Sequence, residues 1–308
     1  MQTTSNILMI RPVEFGFNAQ TAVNNAFLKP GSDFDVQEKA LKEFDEFVEV
    51  LRLNGVEVLV IDDNSKHHTP DSIFPNNWIS THDDGQLFIY PMEAENRRLE
   101  KRDDIVSTLK EKYQIINIID LSYFENENKF LESTGSMVLD RVNKIAYACL
   151  SDRTNKDVLL TFSQLIGYKV ITFNAVDKNG TAIYHTNVMM SLGTQFVVIC
   201  LESVKDDSQK NEVVKSLEKT GKNIVEISYR QMNEFAGNML QLKNKSQELI
   251  LVMSERAYNS LLQEQIFQLE RYSKLVFSPL NTIEGTGGGS ARCMIAEIHL
   301  PEFSAMPS

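Results

Sequence analysis

Three cysteines in a chain of 308 residues are too few for a disulfide framework, and their settings differ. Cys149 lies in IAYACLS and Cys200 in FVVICLE, apolar strand-like runs in which a thiol serves as a small buried hydrophobe. Cys293 follows the segment GGGSAR. Its flexible backbone can approach a ligand, and its arginine can favour a thiolate. Cys293 is therefore the candidate nucleophile for covalent catalysis. His185, in YHTNVMM, titrates near neutral pH and can carry a proton to and from the reacting group. Glu132, in FLESTGSM, can orient the imidazole or hold substrate N–H groups. Taken singly, each has a commoner use: an apolar cysteine at a strand start, a hydrogen-bonded histidine on a core strand, a solvated loop carboxylate. Their joint occurrence in recurring polar segments favours a site.

Those segments are PDSIFPNNWIS at 70–80, FLESTGSM at 130–137, YHTNVMM at 184–190, FAGNMLQL at 235–242 and EGTGGGSARCM at 284–294, each flanked by apolar runs. Arg97, in NRRLEKRDDIV, and Arg153, in SDRTNKDVLLTF, each read as opening a helix. A cation there is disfavoured by a few tenths to about 1 kcal/mol, so the position wants an anion. Both arginines are expected to grip the α-carboxylate of an amino-acid substrate.

Convergence of such distant residues needs a repeated architecture. A helical run passes through a turn into a β-rich run in LRLNGVEVLVI at Gly55, LKEKYQIINII near Tyr113, FSQLIGYKVITF at Gly167, LEKTGKNIVEIS at Gly221 and LERYSKLVFSP near Ser273. The step is 54 residues from Gly167 to Gly221, and close to twice that from Gly55 to Gly167. Further strand-like segments lie between, among them MVLD, AIYHTNVMM and MLQL. Five units of two or three strands and one helix suit a closed ring with loops gathered at its axis. The expectation is a single α/β domain over residues 1–308, a five-bladed α/β propeller with pseudo-five-fold symmetry. A doubly wound sheet fits less well. No GxGxxG or GxxxxGK[ST] occurs, and the glycines at 285–289 precede a strand near the C-terminus.

Composition narrows the partners. The formal charge of -11, from 42 acids and 31 bases, repels a phosphate backbone, so no nucleic acid is expected. No apolar stretch approaches the roughly 18 residues a bilayer needs, and the N-terminus has no basic region before its short apolar run. A cytoplasmic location with no membrane contact is expected. His67 and His68 read as a solvated turn, so neither metal nor cofactor is expected. The partner is a small amino-acid substrate, and association of like chains is left open.

The sequence resembles the guanidino-group-modifying enzymes, the pentein superfamily of arginine deiminases, amidinotransferases and dimethylarginine dimethylaminohydrolases. Asp71 with FPNN looks like the family's substrate-binding loop, Glu132 like its Glu-Gly-Gly acid, and His185 and Cys293 like its catalytic pair. SDRTN at 151–155 is similar to the dimethylaminohydrolase carboxylate-binding segment. GFNAQTAVNN, FPNNW, YHTNVMM, FAGNMLQL and GGGSARCM together resemble the citrulline-utilisation hydrolases. The resemblance implies a five-bladed propeller and a cysteine hydrolase of a ureido or guanidino C–N bond. Where dimethylaminohydrolases carry Phe-Val-Glu-Asp, this chain has Phe74-Pro75-Asn76-Asn77. Asn77 in place of an aspartate leaves a buried guanidinium less well compensated, whereas a neutral ureido group loses nothing. Asn187 stands where deiminases place an aspartate, which argues against a standard arginine deiminase. Citrulline, cleaved to ornithine, ammonia and carbon dioxide, is the expected substrate. The alternatives are amidinotransfer, hydrolysis of arginine or dimethylarginine, and a non-catalytic propeller that binds a macromolecule.

Overall fold

The apolar spacing of residues 36–53 sets the pattern. Ala40, Phe44, Phe47, Val48 and Leu51 fall on one side of the helix Val36–Leu53 and are buried, as an amphipathic helix covering a sheet requires. Behind its last turn, Gly55 adopts a φ of +80°, and Gly167 and Gly221 do the same behind two later helices at +74° and +72°. Left-handed backbone of this kind costs glycine nothing and redirects the chain into a strand.

The computed structural model describes residues 1–25 and 35–303. These form an α/β fold of five three-stranded sheets. Strand β1 (Asn6–Arg11) runs parallel to β2 (Glu57–Asp62). β3 (Ile79–Thr81) is antiparallel to β4 (Gln86–Ile89), which is parallel to β5 (Asn117–Asp120). The same order joins β6 (Val138–Asp140), β7 (Ile145–Cys149) and β8 (Lys169–Phe173). It recurs in β9 (Met190–Leu192), β10 (Phe196–Ile199) and β11 (Asn223–Glu226), and in β12 (Leu240–Lys243), β13 (Leu249–Ser254) and β14 (Lys274–Ser278). Finally β15 (Ala296–Ile298) returns antiparallel to β1, so the first sheet is completed by the other end of the chain. Each parallel crossover carries helix, namely Val36–Leu53, Asp103–Lys112, Lys156–Ile166, Asp207–Lys219 and the pair Glu255–Ser260 and Gln263–Glu270, as parallel neighbours demand.

In each unit the first strand of the antiparallel pair is preceded by a tight turn cut from one of the polar segments. Pro75–Asn77 precedes β3, Ser133–Ser136 precedes β6, and Thr186–Met189 runs into β9. Residues 235–238 and 291–294 stand in the same relation to β12 and β15. These strands touch across sheets, β15 with β3, β6 with β9 and β9 with β12, so their turns meet. Glycine permits the approach: a Cβ on Gly237 would lie 2.3 Å from the backbone oxygen of Val188.

One placement differs from the sequence reading. Arg153 does not open a helix. It sits in the bridge between Ser151 and Thr154, and Asn155 caps the following helix by accepting a hydrogen bond from the Asp157 backbone N–H. Asparagine satisfies an orphan helix donor where arginine cannot. Arg97 lies in the four-residue helix Glu95–Arg98, as its third residue.

Candidate active site

The turns bring Asp71, Asn77, Arg97, Arg153, His185 and Cys293 to the wall of one small cavity of about 20 Å³, with Phe74, Tyr184 and Gly287 to Gly289. Room for about one water remains. Glu132 is fully buried behind His185, whose Nε2 lies 2.8 Å from Glu132 Oε2. The other oxygen, Oε1, accepts a hydrogen bond from the Glu93 backbone N–H at 3.1 Å. Both carboxylate oxygens are thus engaged by the protein, which makes Glu132 an orienting group for the imidazole. Burial alone would raise its pKa. The Arg153 charge, the His185 hydrogen bond and the Arg97 charge outweigh that and hold it at about 2. Its stabilising charge is present above the ordinary carboxylate range and is lost only as the pH falls through about 2.

An ionised Glu132 demands the proton on His185 Nε2, so Nδ1 is left as the acceptor. Burial pulls the His185 pKa below its ordinary 6.5, partly opposed by the hydrogen bond and charge of Glu132 and reinforced by Arg153 and Arg97. A neutral imidazole is therefore the resting form at neutral pH. Because the base form persists down to the lowered pKa, the acid limb of kcat/KM is expected to lie below pH 6.5. Glu132→Gln, which removes the contributions that raise the pKa, should move that limb lower still. A pH–rate profile of both proteins checks this.

The edge of the ring nearest Asn77 is kept open by Gly135. A Cβ there would lie 2.3 Å from Asn77 Nδ2 and 2.9 Å from His185 Nδ1 and Cε1. Gly135→Ala is accordingly expected to lower kcat/KM about tenfold and to destabilise the fold by about 1–3 kcal/mol through overpacking. Steady-state kinetics and urea denaturation give the two numbers.

Around the sulfur the structure corrects the sequence reading. Arg292 precedes Cys293, but its guanidinium turns away, donating to Glu297 at 2.7 Å and to the backbone oxygen of Ile295 at 2.8 Å. The sulfur is met instead by two side-chain amides: Asn238 Nδ2 donates to Sγ at 3.2 Å and Asn187 Nδ2 at 3.5 Å. Asn187 was expected to hold substrate and holds the nucleophile. Asn238 lies in the polar segment FAGNMLQL, which by itself points to no partner for the sulfur. Its signal is an asparagine in the fourth of five equivalent turns.

The arginines are likewise spent on the protein. Arg97 gives Nε and NH2 to the two oxygens of Glu100 at 2.9 and 3.0 Å, and NH1 to Asn77 Oδ1 at 2.9 Å. Arg153 gives Nε to Glu93 at 3.0 Å and NH2 to the Thr21 backbone oxygen at 3.0 Å and to Asn24, with its guanidinium 5.0 Å above the Tyr184 ring. All three guanidinium nitrogens of Arg97 thus donate to the protein, whereas Arg153 donates through Nε and NH2 and has its NH1 3.7 Å from Glu132 Oε2. Both sit 3.7–3.8 Å from Glu132, where they compensate its charge. Asp71 accepts from Asn18 at 2.8 Å and from Thr21 at 3.0 Å through Oδ2, while its Oδ1 is buried without a hydrogen bond among the described residues.

Asn77 is in the complementary state. Arg97 possesses donors alone, so Oδ1 must be the amide atom facing it, and Nδ2 is left buried with no acceptor. Among the described residues, no group of His, Cys, Asp and Glu could hold a metal ion, and no helix is long and apolar enough to cross a membrane.

No curated protein matches the chain in sequence. A family model described as N,N dimethylarginine dimethylhydrolase, eukaryotic, matches residues 11–300. Among solved structures, the N-terminal domain of ArgZ carrying a covalent reaction intermediate superposes with a TM-score of 0.76 at 16% identity, over 96% of this chain and 98% of that one. ArgZ is described as an arginine dihydrolase from the ornithine-ammonia cycle in Cyanobacteria. Unliganded AgrE superposes at 0.76 with 14% identity, over 97% of this chain and 40% of that one. A dimethylarginine dimethylaminohydrolase adduct with S-methyl-L-thiocitrulline superposes at 0.66 with 15% identity, over 96% and 100%. At such identities the structural likeness concerns the fold.

Proposed function

The chain belongs to the N,N-dimethylarginine dimethylhydrolase family within the guanidino-modifying pentein superfamily, and from that premise we propose that it is a cysteine hydrolase of the ureido group of citrulline. Membership makes it a hydrolase of arginine-type C–N bonds. The observation that carries the finer reading is Asn77 Nδ2, a buried donor without an acceptor. A ureido group offers a carbonyl oxygen to that donor. A guanidinium offers further N–H groups, and donor would face donor at a cost of one unsatisfied buried polar group or more, about 1–3 kcal/mol. Asp71 Oδ1 supplies the matching acceptor for a ureido N–H.

In this reading Cys293 Sγ attacks the ureido carbon while neutral His185 takes the thiol proton at Nδ1. The carbonyl oxygen gains charge beside Asn77 Nδ2. Collapse of the adduct breaks the bond from carbon to the ornithine nitrogen, which receives the proton from His185 and leaves as an amine. Water then attacks the S-carbamoyl carbon, His185 accepts its proton, and the thiolate departs. The carbamate decomposes to ammonia and carbon dioxide. The five sheets serve as blades closed into a ring around this site. The three unpaired cysteines suit a reducing, cytoplasmic setting.

Incubation with citrulline, arginine and dimethylarginine under identical conditions tests the assignment. Ornithine and ammonia should form from citrulline at a kcat/KM well above that for either guanidino compound, with no acceptor amine required. Faster turnover of either guanidino compound would overturn the ureido reading, and an absolute need for an amine would replace hydrolysis by group transfer.

A further inference from the structure

Among the described residues, the arginines near Cys293 are committed elsewhere. Arg292 faces Glu297, Arg97 faces Glu100 and Arg153 faces Glu93. His185 is tied to Glu132, and burial keeps its ring neutral at neutral pH. The remaining titratable groups on the cavity wall are Asp71 and Tyr184. Neither can supply positive charge to a thiolate, and burial pushes the Tyr184 phenol up and out of the neutral range.

What does point at the sulfur is the pair of amides from the third and fourth turns. Asn238 is held at three points. Its Nδ2 donates to the Asn187 backbone oxygen at 3.0 Å and to Sγ at 3.2 Å, and its Oδ1 accepts from the Arg292 backbone N–H at 3.0 Å. The last contact fixes the amide orientation, because a backbone N–H requires an oxygen opposite it. Asn238 is 2% exposed and Asn187 1%. The missing side chain of Gly237, whose Cβ would strike Val188 O at 2.3 Å, lets the fourth turn press close enough for this reach.

We infer that Asn238, assisted by Asn187, is a catalytic residue whose amide N–H stabilises negative charge on the Cys293 sulfur, so that the charge left as His185 takes the thiol proton is met by neutral dipoles in place of an arginine partner. Fixed donors aimed at a forming anion need no reorganisation as charge develops, and hydrogen bonding to the charged form favours that form. A neutral substrate makes the device useful. A ureido group carries no positive charge of its own to draw the proton off the thiol as it binds. The inference rests on the sulfur's geometry, so it stands or falls apart from the choice of substrate.

Alkylation by iodoacetamide tests it without turnover. Second-order rate constants at pH 7 and at pH 10 are compared for the full chain, with the modified residue identified by peptide mass. The rate at pH 10 normalises each variant for access of the reagent to Sγ, so the ratio of the two rates reports how far the surroundings of the sulfur activate it at pH 7. Asn238→Ala should lower the ratio about tenfold, and Asn187→Ala about threefold. His185→Ala, which removes the group that takes the thiol proton, should lower the ratio less than Asn238→Ala does. A ratio unchanged in both asparagine variants, or one that falls with His185→Ala alone, would overturn the inference. Circular dichroism shows whether each variant is folded. If Asn238→Ala is not, Asn187→Ala and Asn238→Asp, which keeps the shape and replaces the donor by an anion, carry the same comparison, and an unchanged ratio in them counts equally against it.

Discussion

Cys293→Ser is expected to lower ornithine release from citrulline by about 10⁴-fold while citrulline still binds, because the variant loses the nucleophile and little of the cavity wall. A hydroxyl ionises far less readily than a thiol, and its smaller oxygen would sit farther from the Asn238 and Asn187 donors, now at 3.2 and 3.5 Å from sulfur. No other thiol can deputise. Cys149 and Cys200 have no accessible surface, and burial pushes their thiols to about 11 and about 12. Acid quenching of the wild type during turnover should reveal a carbamoyl adduct on the peptide containing Cys293, absent from the serine variant. Residual activity above about a tenth of wild type, or an adduct elsewhere, would place the nucleophile outside the cavity.

The parts legible in the sequence were those governed by local rules. Apolar helical stripes ending at Gly55, Gly167 and Gly221 announced three of the five crossovers, because helix periodicity and left-handed glycine both act over a few residues. Cys293, His185 and Glu132 were marked by being polar or reactive inside apolar surroundings, and the fold does bring them together, with Glu132 behind the imidazole. What failed depended on direction or on contact between distant turns. Arg292 adjoins Cys293 in sequence, but its side chain reaches Glu297, five residues on, and chain adjacency carried no information about that. Arg153 stands two residues before Asn155, the cap that starts the helix, and the run SDRTN does not itself show where the helix begins. Asn238 reaches the sulfur only because the fourth turn packs on the third, at a distance set by Gly237 and Val188 O. The occupancy of Arg97 and Arg153 by Glu100 and Glu93 follows from tertiary pairing that no spacing encodes.

The other large effect is one of specificity. Asn77→Asp should fold, since the new carboxylate oxygen facing Arg97 NH1 replaces Oδ1 at 2.9 Å and forms a stronger, charge-assisted contact. The second oxygen would occupy the place of Nδ2, turning a donor without a partner into an acceptor with negative charge. Against a ureido carbonyl it presents lone pair to lone pair, on a cavity wall that already carries the Asp71 carboxyl. Sites built around a buried polar contact discriminate by several orders of magnitude when that contact is mismatched. A fall of about 100-fold or more in kcat/KM for citrulline is therefore expected. Arginine should gain relative to citrulline by a comparable or larger factor, because its guanidinium supplies both the donors and the charge that the new carboxylate requires. Kinetics with both substrates on both proteins measure the ratio. If Asn77→Asp leaves the citrulline-to-arginine preference where it was, the orphan amide is not what reads the substrate, and specificity must come from Asp71 or from the amino-acid end.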